Sequence, residues 1–291
     1  MNPIQTLTNF EEWLRKRDKS EETICSYMAS IKRFINHKQE QTNGPVLINQ
    51  IKEDDVQSFV HFLQTKKQYK PASINVMLNA LRTYFKFAER NQWIERNPTI
   101  HIESVKNHKK RRDYLTIEEI QQLLDVIDHP IANLIVRTLA FTGLRISECL
   151  ALEIEDVDFV KNLIYVRKGK GNKPRMIPLS ESLKPYLVEY IVGQRSSIEE
   201  STKLFATQKT GGFSAVYINR ILKDATEQLD WKKHVTAHTL RHSFASELVR
   251  QQVELPKVAA LLGHSDFRTV TSIYVHIADD ELQKAVELIQ L

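Results

Sequence analysis

Residues 163–179 read Leu163-Ile164-Tyr165-Val166-Arg167-Lys168-Gly169-Lys170-Gly171-Asn172-Lys173-Pro174-Arg175-Met176-Ile177-Pro178-Leu179. Two short apolar runs, Leu163–Val166 and Arg175–Leu179, flank a turn that carries two glycines, and this pattern predicts a β-hairpin. It is the clearest strand signal in a chain whose apolar residues otherwise recur at helical spacing. The fold class expected is therefore mainly α with a small β-sheet.

Reading toward the N-terminus from the hairpin, Thr116 and Glu119 form a capping-box pattern ahead of Ile120, Leu123, Leu124 and Ile127. A further helix is expected from Ile131 to about Phe141, where Thr142-Gly143 breaks the chain. The first hundred residues read as helix throughout. Ile24, Tyr27, Ile31, Phe34 and Ile35 share one stripe; Val56, Phe59, Val60 and Leu63 share a second. A third run follows Pro71, carries Leu78, Leu81, Phe85 and Ala88, and is expected to stop near Asn97-Pro98. With Leu7–Leu14 they make a four-helix unit. Beyond the hairpin, the chain from Ser214 onward is mostly helical.

The stretch Lys106-Asn107-His108-Lys109-Lys110-Arg111-Arg112 holds five basic residues in seven and nothing apolar. It reads as an exposed connector, so the expected organisation is an N-terminal domain over 1–105, a basic linker over 106–113 and a second domain over 114–291. Residues 1–112 carry 20 Lys+Arg against 12 Asp+Glu, whereas the rest carry 21 against 24. A net of +8 followed by −3 suits a first half that grips a polyanion, although a basic solvated surface gives the same count. No run approaches the roughly 18 apolar residues of a membrane span, and Met1-Asn2-Pro3-Ile4-Gln5 has no signal-peptide pattern. Two distant cysteines, Cys25 and Cys149, build no disulfide framework, so a reducing cytoplasm is expected.

Four segments carry possible chemistry. In Thr142-Gly143-Leu144-Arg145-Ile146-Ser147-Glu148, Arg145 falls at a helix start, where backbone N–H groups and a guanidinium favour an anion. Glu148, one turn on, can hold that guanidinium; an ordinary surface salt bridge has the same spacing. At Gly169-Lys170-Gly171 a lysine between glycines can reach a neighbouring site, or can be a solvated turn residue. In His238-Thr239-Leu240-Arg241-His242, His238 and Arg241 share a helix face. The His238/His242 spacing invites zinc, but no cysteine lies near and the fixed charge of Arg241 stands beside the imagined metal. Finally Leu261-Leu262-Gly263-His264 precedes Tyr274 by ten residues, and Tyr274 taken alone reads as a half-buried helix aromatic.

Together these segments, TGLRISE (142–148), GKGNKPR (169–175), HTLRHSFAS (238–246) and LLGHSDF (261–267) with Ile273-Tyr274, resemble the tyrosine recombinases of the phage integrase family. The first domain resembles the family's helical, SAM-like core-binding domain through Phe10, Trp13-Leu14, Lys19 to Thr23, Tyr27, Ser73, Leu78 to Arg82 and Asn97-Pro98. The resemblance implies an N-terminal four-helix core-binding domain and an α+β catalytic domain. It implies Tyr274 as the nucleophile, forming a 3′-phosphotyrosyl link. Arg145 and Arg241 would bind the non-bridging phosphate oxygens, Lys170 would be the general acid, His238 would take the phenol proton, and His264 would hydrogen-bond the phosphate, with Glu148 in support. Exchanging one phosphate ester for another needs no metal and no ATP, so no cofactor is expected.

The His264–Tyr274 spacing is one residue longer than the usual family pattern, which implies a longer loop before the tyrosine. Candidate DNA contacts are Arg82, Lys86, Lys109, Lys110, Arg111 and Arg112. The implied partner is double-stranded DNA with paired half-sites, bound by a homotetramer that is monomeric when free. Accessory proteins are allowed for, and a bacterial, DNA-associated location is implied. The amphipathic stretch 280–291, with Leu282, Val286 and Ile289, would dock on a neighbouring protomer. A start so close to the four-helix unit leads us to expect no arm-binding domain. Two rivals stand against this reading: a DNA-binding protein of the same architecture without chemistry, and a metal-dependent nuclease or transposase. The second needs converging carboxylates, whereas the acids here lie in scattered pairs such as Glu118/Glu119 and Glu199/Glu200.

Overall fold

A computed structural model describes residues 3–42, 44–107, 114–167, 174–198, 201–209 and 211–263. The glycine-rich turn, Lys170, Lys109, Lys110, Arg111, Arg112, His264, Tyr274 and the stretch 280–291 lie outside the described residues. The chain divides into two compact units, Met1–Lys110 and Arg111–Leu291.

The first unit is built from α1 (Pro3–Arg15), α2 (Glu21–Thr42), α3 (Glu53–Thr65) and α4 (Pro71–Arg90). Their apolar stripes meet in one core, where the Phe34 ring lies 5.3 Å from Phe59 and 6.0 Å from Phe85, both edge-on. Proline at its first position opens α4, a place where no intrahelical N–H is lost. This helix ends seven residues earlier than the Asn97-Pro98 signal suggests. Asn91 turns its side-chain amide back to Phe87 O at 2.7 Å, and Gln92 takes a left-handed φ of 58°. A side chain that satisfies an orphan carbonyl and a left-handed residue after it stop a helix without proline or glycine. Arg82, on α4, donates to Ile102 O at 2.7 Å and to Ser104 Oγ at 3.2 Å, bracing the chain that leaves the unit. Lys86, one turn on, is exposed.

The second unit begins with α5 (Ile117–Asp125), α6 (Pro130–Thr142) and α7 (Ile146–Ala151). The capping box on α5 is formed: Glu119 N–H donates to Thr116 Oγ1 at 3.2 Å and Thr116 N–H to Glu119 Oε2 at 3.0 Å. A three-stranded antiparallel sheet follows, β1 (Val157–Asp158), β2 (Leu163–Val166) and β3 (Arg175–Pro178), in the order β1-β2-β3. The short β1, which has no signal of its own in the sequence, pairs Val157 with Ile164. Register between β2 and β3 sets Ile164 opposite Ile177, both buried, so a one-residue slip would expose two core side chains. Then come α8 (Lys184–Val192), α9 (Ala215–Gln228), α10 (Ala237–Arg250) and α11 (Leu255–Leu262). Among the described residues no helix is long and apolar enough to cross a membrane.

Two glycines end helices at one place. Gly143 closes α6 and Gly263 closes α11, each with φ 62°. At Gly143 a Cβ would overlap the Phe244 ring and stand 3.0 Å from Leu262 Cδ2. Gly143→Ala therefore combines a left-handed penalty with overpacking, and we expect a loss of about 2–5 kcal/mol. Trp231 is the one tryptophan after residue 110, so urea unfolding followed by its fluorescence in a Trp13→Phe/Trp93→Phe background reads this unit. A loss under about 0.5 kcal/mol would contradict the packing described.

Candidate active site

Thr142 returns its hydroxyl to Thr138 O at 2.6 Å, Gly143 reverses the chain, and Arg145 then occupies the position that caps α7. The sequence offers this helix start to a phosphate, and the structure shows what the cap residue itself already holds. Arg145 N–H donates to Glu148 Oε2 at 2.9 Å, so the six-residue α7 is capped by its own carboxylate.

Glu148 also accepts from Arg145 Nη1, at 2.7 Å on Oε1. Arg175, the first residue of β3, meets the same carboxylate with both fork nitrogens, Nη2 to Oε2 at 2.7 Å and Nη1 to Oε1 at 3.1 Å. Arg241 Nη1 stands 3.8 Å from Glu148 Oε2. One buried carboxylate is thus shared by three guanidiniums that lie far apart in sequence. Side-chain exposure is 3% for Glu148, 4% for Arg241 and 9% for Arg175, but 24% for Arg145. Arg145 is the member of the set that faces outward.

Backbone carbonyls fix the rest. Arg241 donates through Nη1 to Gly143 O at 2.6 Å and through Nη2 to Leu262 O at 2.5 Å. Arg175 Nε donates to Leu261 O at 2.9 Å. These carbonyls sit at the C-terminal ends of α6 and α11, where the helix dipole is negative and acceptors are left over. The helix that bears Arg241 is itself pinned. Ala237 N–H donates to Asn219 Oδ1 at 3.0 Å, and Leu115 N–H to Ser243 Oγ at 2.8 Å. His238 lies in the first turn of α10, exposed, one turn before Arg241. His242 packs edge-on to Tyr114. Among the described residues no group of three or more His, Cys, Asp or Glu side chains converges as metal ligands would.

Burial pushes the Glu148 carboxyl up, but hydrogen bonds from Arg175 and from Arg145 N–H pull harder, leaving it at about 2. Burial, followed by the neighbouring Arg145, pushes Arg241 down to about 9, with Glu148 opposing. At neutral pH the cluster thus holds three cations and one anion, a surplus of two positive charges. The sequence reading brought Arg145, Glu148 and Arg241 into one site and missed Arg175. Its signal was alternation: Arg175 lies on the same inward face as buried Ile177, with exposed Met176 between, and a cation facing a core requires a carboxylate.

The family model described as "Phage integrase family" matches residues 113–281, and "Phage integrase, N-terminal SAM-like domain" matches 7–95. The tyrosine recombinase XerD of Staphylococcus haemolyticus is 32% identical over 289 residues, covering 95% of this chain and 96% of the relative. Among solved structures, the Tn1549 transposon integrase in complex with transposon right end DNA superposes with a TM-score of 0.79. It is 20% identical, with 99% of each chain covered. A lambda integrase tetramer bound to a Holliday junction gives 0.75 at 18% identity, covering 94% of this chain and 77% of that one. At these identities the two structures speak for the fold.

The carboxylate predicts a pH dependence. Its folded value of about 2 lies below the ordinary 4.5, so its stabilisation is complete above pH 4.5 and fades as pH falls toward 2. The difference corresponds to on the order of 3 kcal/mol. Glu148→Gln is expected to be less stable than wild type near neutrality. That gap should narrow by on the order of 3 kcal/mol between about pH 6 and about pH 2, measured by urea unfolding through Trp231. A gap independent of pH would mean that Glu148 is not the ionised hub.

Proposed function

The chain belongs to the phage integrase family and is a site-specific DNA recombinase, and from this premise we propose that Tyr274 attacks a DNA phosphodiester to form a 3′-phosphotyrosyl intermediate. The Tyr274 phenolic oxygen bonds to phosphorus, the bond to the 5′ oxygen breaks, and the free 5′-hydroxyl leaves. His238 takes the phenol proton and Lys170 delivers one to the leaving 5′ oxygen. Arg145 and Arg241 hold the non-bridging oxygens, His264 adds a hydrogen bond to them, and Glu148 keeps the arginines in place. Ester exchange conserves bond energy, so neither ATP nor a metal is assigned a step.

The observation that carries this reading is the convergence of Arg145 and Arg241 on Glu148, with a surplus of two positive charges. A phosphodiester carries one negative charge and its pentavalent transition state two. A fixed cationic cradle therefore binds the transition state more tightly than the ground state. A phenol with an ordinary pKa near 10 also gains nucleophilicity beside cations. No observation favours a DNA-binding protein without chemistry.

The proposed partner is double-stranded DNA with paired half-sites, bound by a tetramer that assembles from free monomers in the bacterial cytoplasm, with room for accessory proteins. The integrase structures described above were solved on DNA, one of them as a tetramer. We assign the unit before residue 106 to core binding. Exposed Lys86 and the N–H groups of Arg82 not spent on Asn79, Ile102 and Ser104 would serve as phosphate contacts. The basic stretch Lys106–Arg112, with Lys109, Lys110, Arg111 and Arg112, would strap the backbone. The stretch 280–291 would link neighbouring protomers.

The test is a nicked duplex bearing a half-site that the protein itself selects from a random duplex library. Wild type should accumulate a covalent protein–DNA complex, unchanged by EDTA. Tyr274→Phe should give none, and Arg241→Ala should slow its formation by about 10²–10³-fold. An adduct that survives in Tyr274→Phe, or vanishes with EDTA, overturns the assignment.

A further inference from the structure

We propose that Arg175 is a positioning residue for strand transfer, holding Glu148 so that the carboxylate orients Arg145 and Arg241 without neutralising them. The inference rests on the reading just given and adds a residue to it.

Arg175 does three things at once. Its fork grips both oxygens of Glu148, at 2.7 and 3.1 Å, in the bidentate geometry that fixes a carboxylate plane. Its Nε holds Leu261 O at 2.9 Å, while the adjacent Leu262 O holds Arg241 Nη2 at 2.5 Å. Consecutive carbonyls at the end of α11 thus anchor two different arginines. The third contact is with Gly263, where a Cβ would stand 3.0 Å from Arg175 Cδ and Nη1. Because Gly263 also has a φ of 62°, the turn has room for this guanidinium only with glycine there. One side chain ties β3 to α7 and α11, and Arg241 ties α10 to the same end of α11. In sequence Arg175 follows Lys170 by five residues, and Leu261 precedes His264 by three.

The cluster holds more cations than its one carboxylate can neutralise. Here Glu148 has its closest contacts with two guanidiniums and a third at 3.8 Å. Remove Arg175 and both acceptor oxygens lose a donor. The carboxylate is then free to close on Arg145 and Arg241, and the surplus charge of the cluster falls from two to one. The transition state, with its second negative charge, loses more from this than the bound ground state does.

Rate and binding should therefore separate. On the nicked half-site duplex, Arg175→Gln should bind within about threefold of wild type and form covalent complex about 10–100-fold more slowly. Arg175→Lys keeps the charge but replaces the fork by a point donor, and should lose less; it also serves if the glutamine variant does not fold. The decisive comparison is made in a Glu148→Gln background. There the neutral side chain has no charge to redirect, and Arg175→Gln should cost less than about threefold in rate. Equal losses in both backgrounds, or binding lost in step with rate, would make Arg175 a structural residue and sink the proposal. If wild type itself yields no adduct, it is the recombinase chemistry that fails instead.

Discussion

The second unit is organised around the carboxylate of Glu148, 3% exposed and bound by guanidiniums from β3 and from its own helix. A lone carboxylate in such a place would neutralise itself, because burying an unpaired charge costs far more than protonating it. It stays ionised because Arg175 and Arg145 supply charge-assisted hydrogen bonds on both oxygens. The dependence runs both ways. Arg241, at 4% exposure, would be an equally costly orphan without an anion nearby and without the Gly143 and Leu262 carbonyls. Each charge is costly there alone, so the members of the set support one another.

Such a cluster is poor material for stability. Well-packed apolar residues of the same volume would often do as well or better. Its surroundings compensate: Leu144, Cys149 and Leu240 adjoin Arg145, Glu148 and Arg241 in sequence, and all are buried in the main core of the unit. A second, smaller cluster of Ala245, Val249, Val258, Ala259 and Leu262 clamps α10 against α11, the pair of helices that Arg241 bridges. Packing of this kind fixes the guanidinium positions in advance, which in the proposed reaction would remove the reorganisation cost from the chemical step.

Much of this was legible in the sequence because it was local. The hairpin declares itself by two apolar runs and a glycine turn, the α5 start by Thr116 and Glu119, and the Arg145–Glu148 pair by one helical turn. The end of α4 is less legible: proline and glycine are the plain stop signals in a sequence, whereas Asn91 and Gln92 stop this helix by side-chain and backbone geometry. The fold-back at the α7 start is local as well: its third residue is an acid that accepts from the N–H of the cap residue Arg145. Arg175 was missed because its partners, Glu148 and Leu261, are 27 and 86 residues away. Only the three-dimensional meeting of β3, α7 and α11 gives it meaning.

The distribution of burial within the cluster also bears on the proposed chemistry. Arg241 and Arg175 turn their donors toward backbone carbonyls and Glu148, deep in the unit, while Arg145 alone is a quarter exposed. A phosphate approaching from solvent would therefore meet Arg145 first, on a guanidinium already oriented by Glu148, with the charge of Arg241 behind it. Arg175, spent on Glu148 and the Leu261 carbonyl, supplies field and rigidity more than reach. That division explains how a site can be strongly cationic and still be built almost wholly from buried groups: the charge that a ligand sees is set by how one carboxylate is apportioned among three cations.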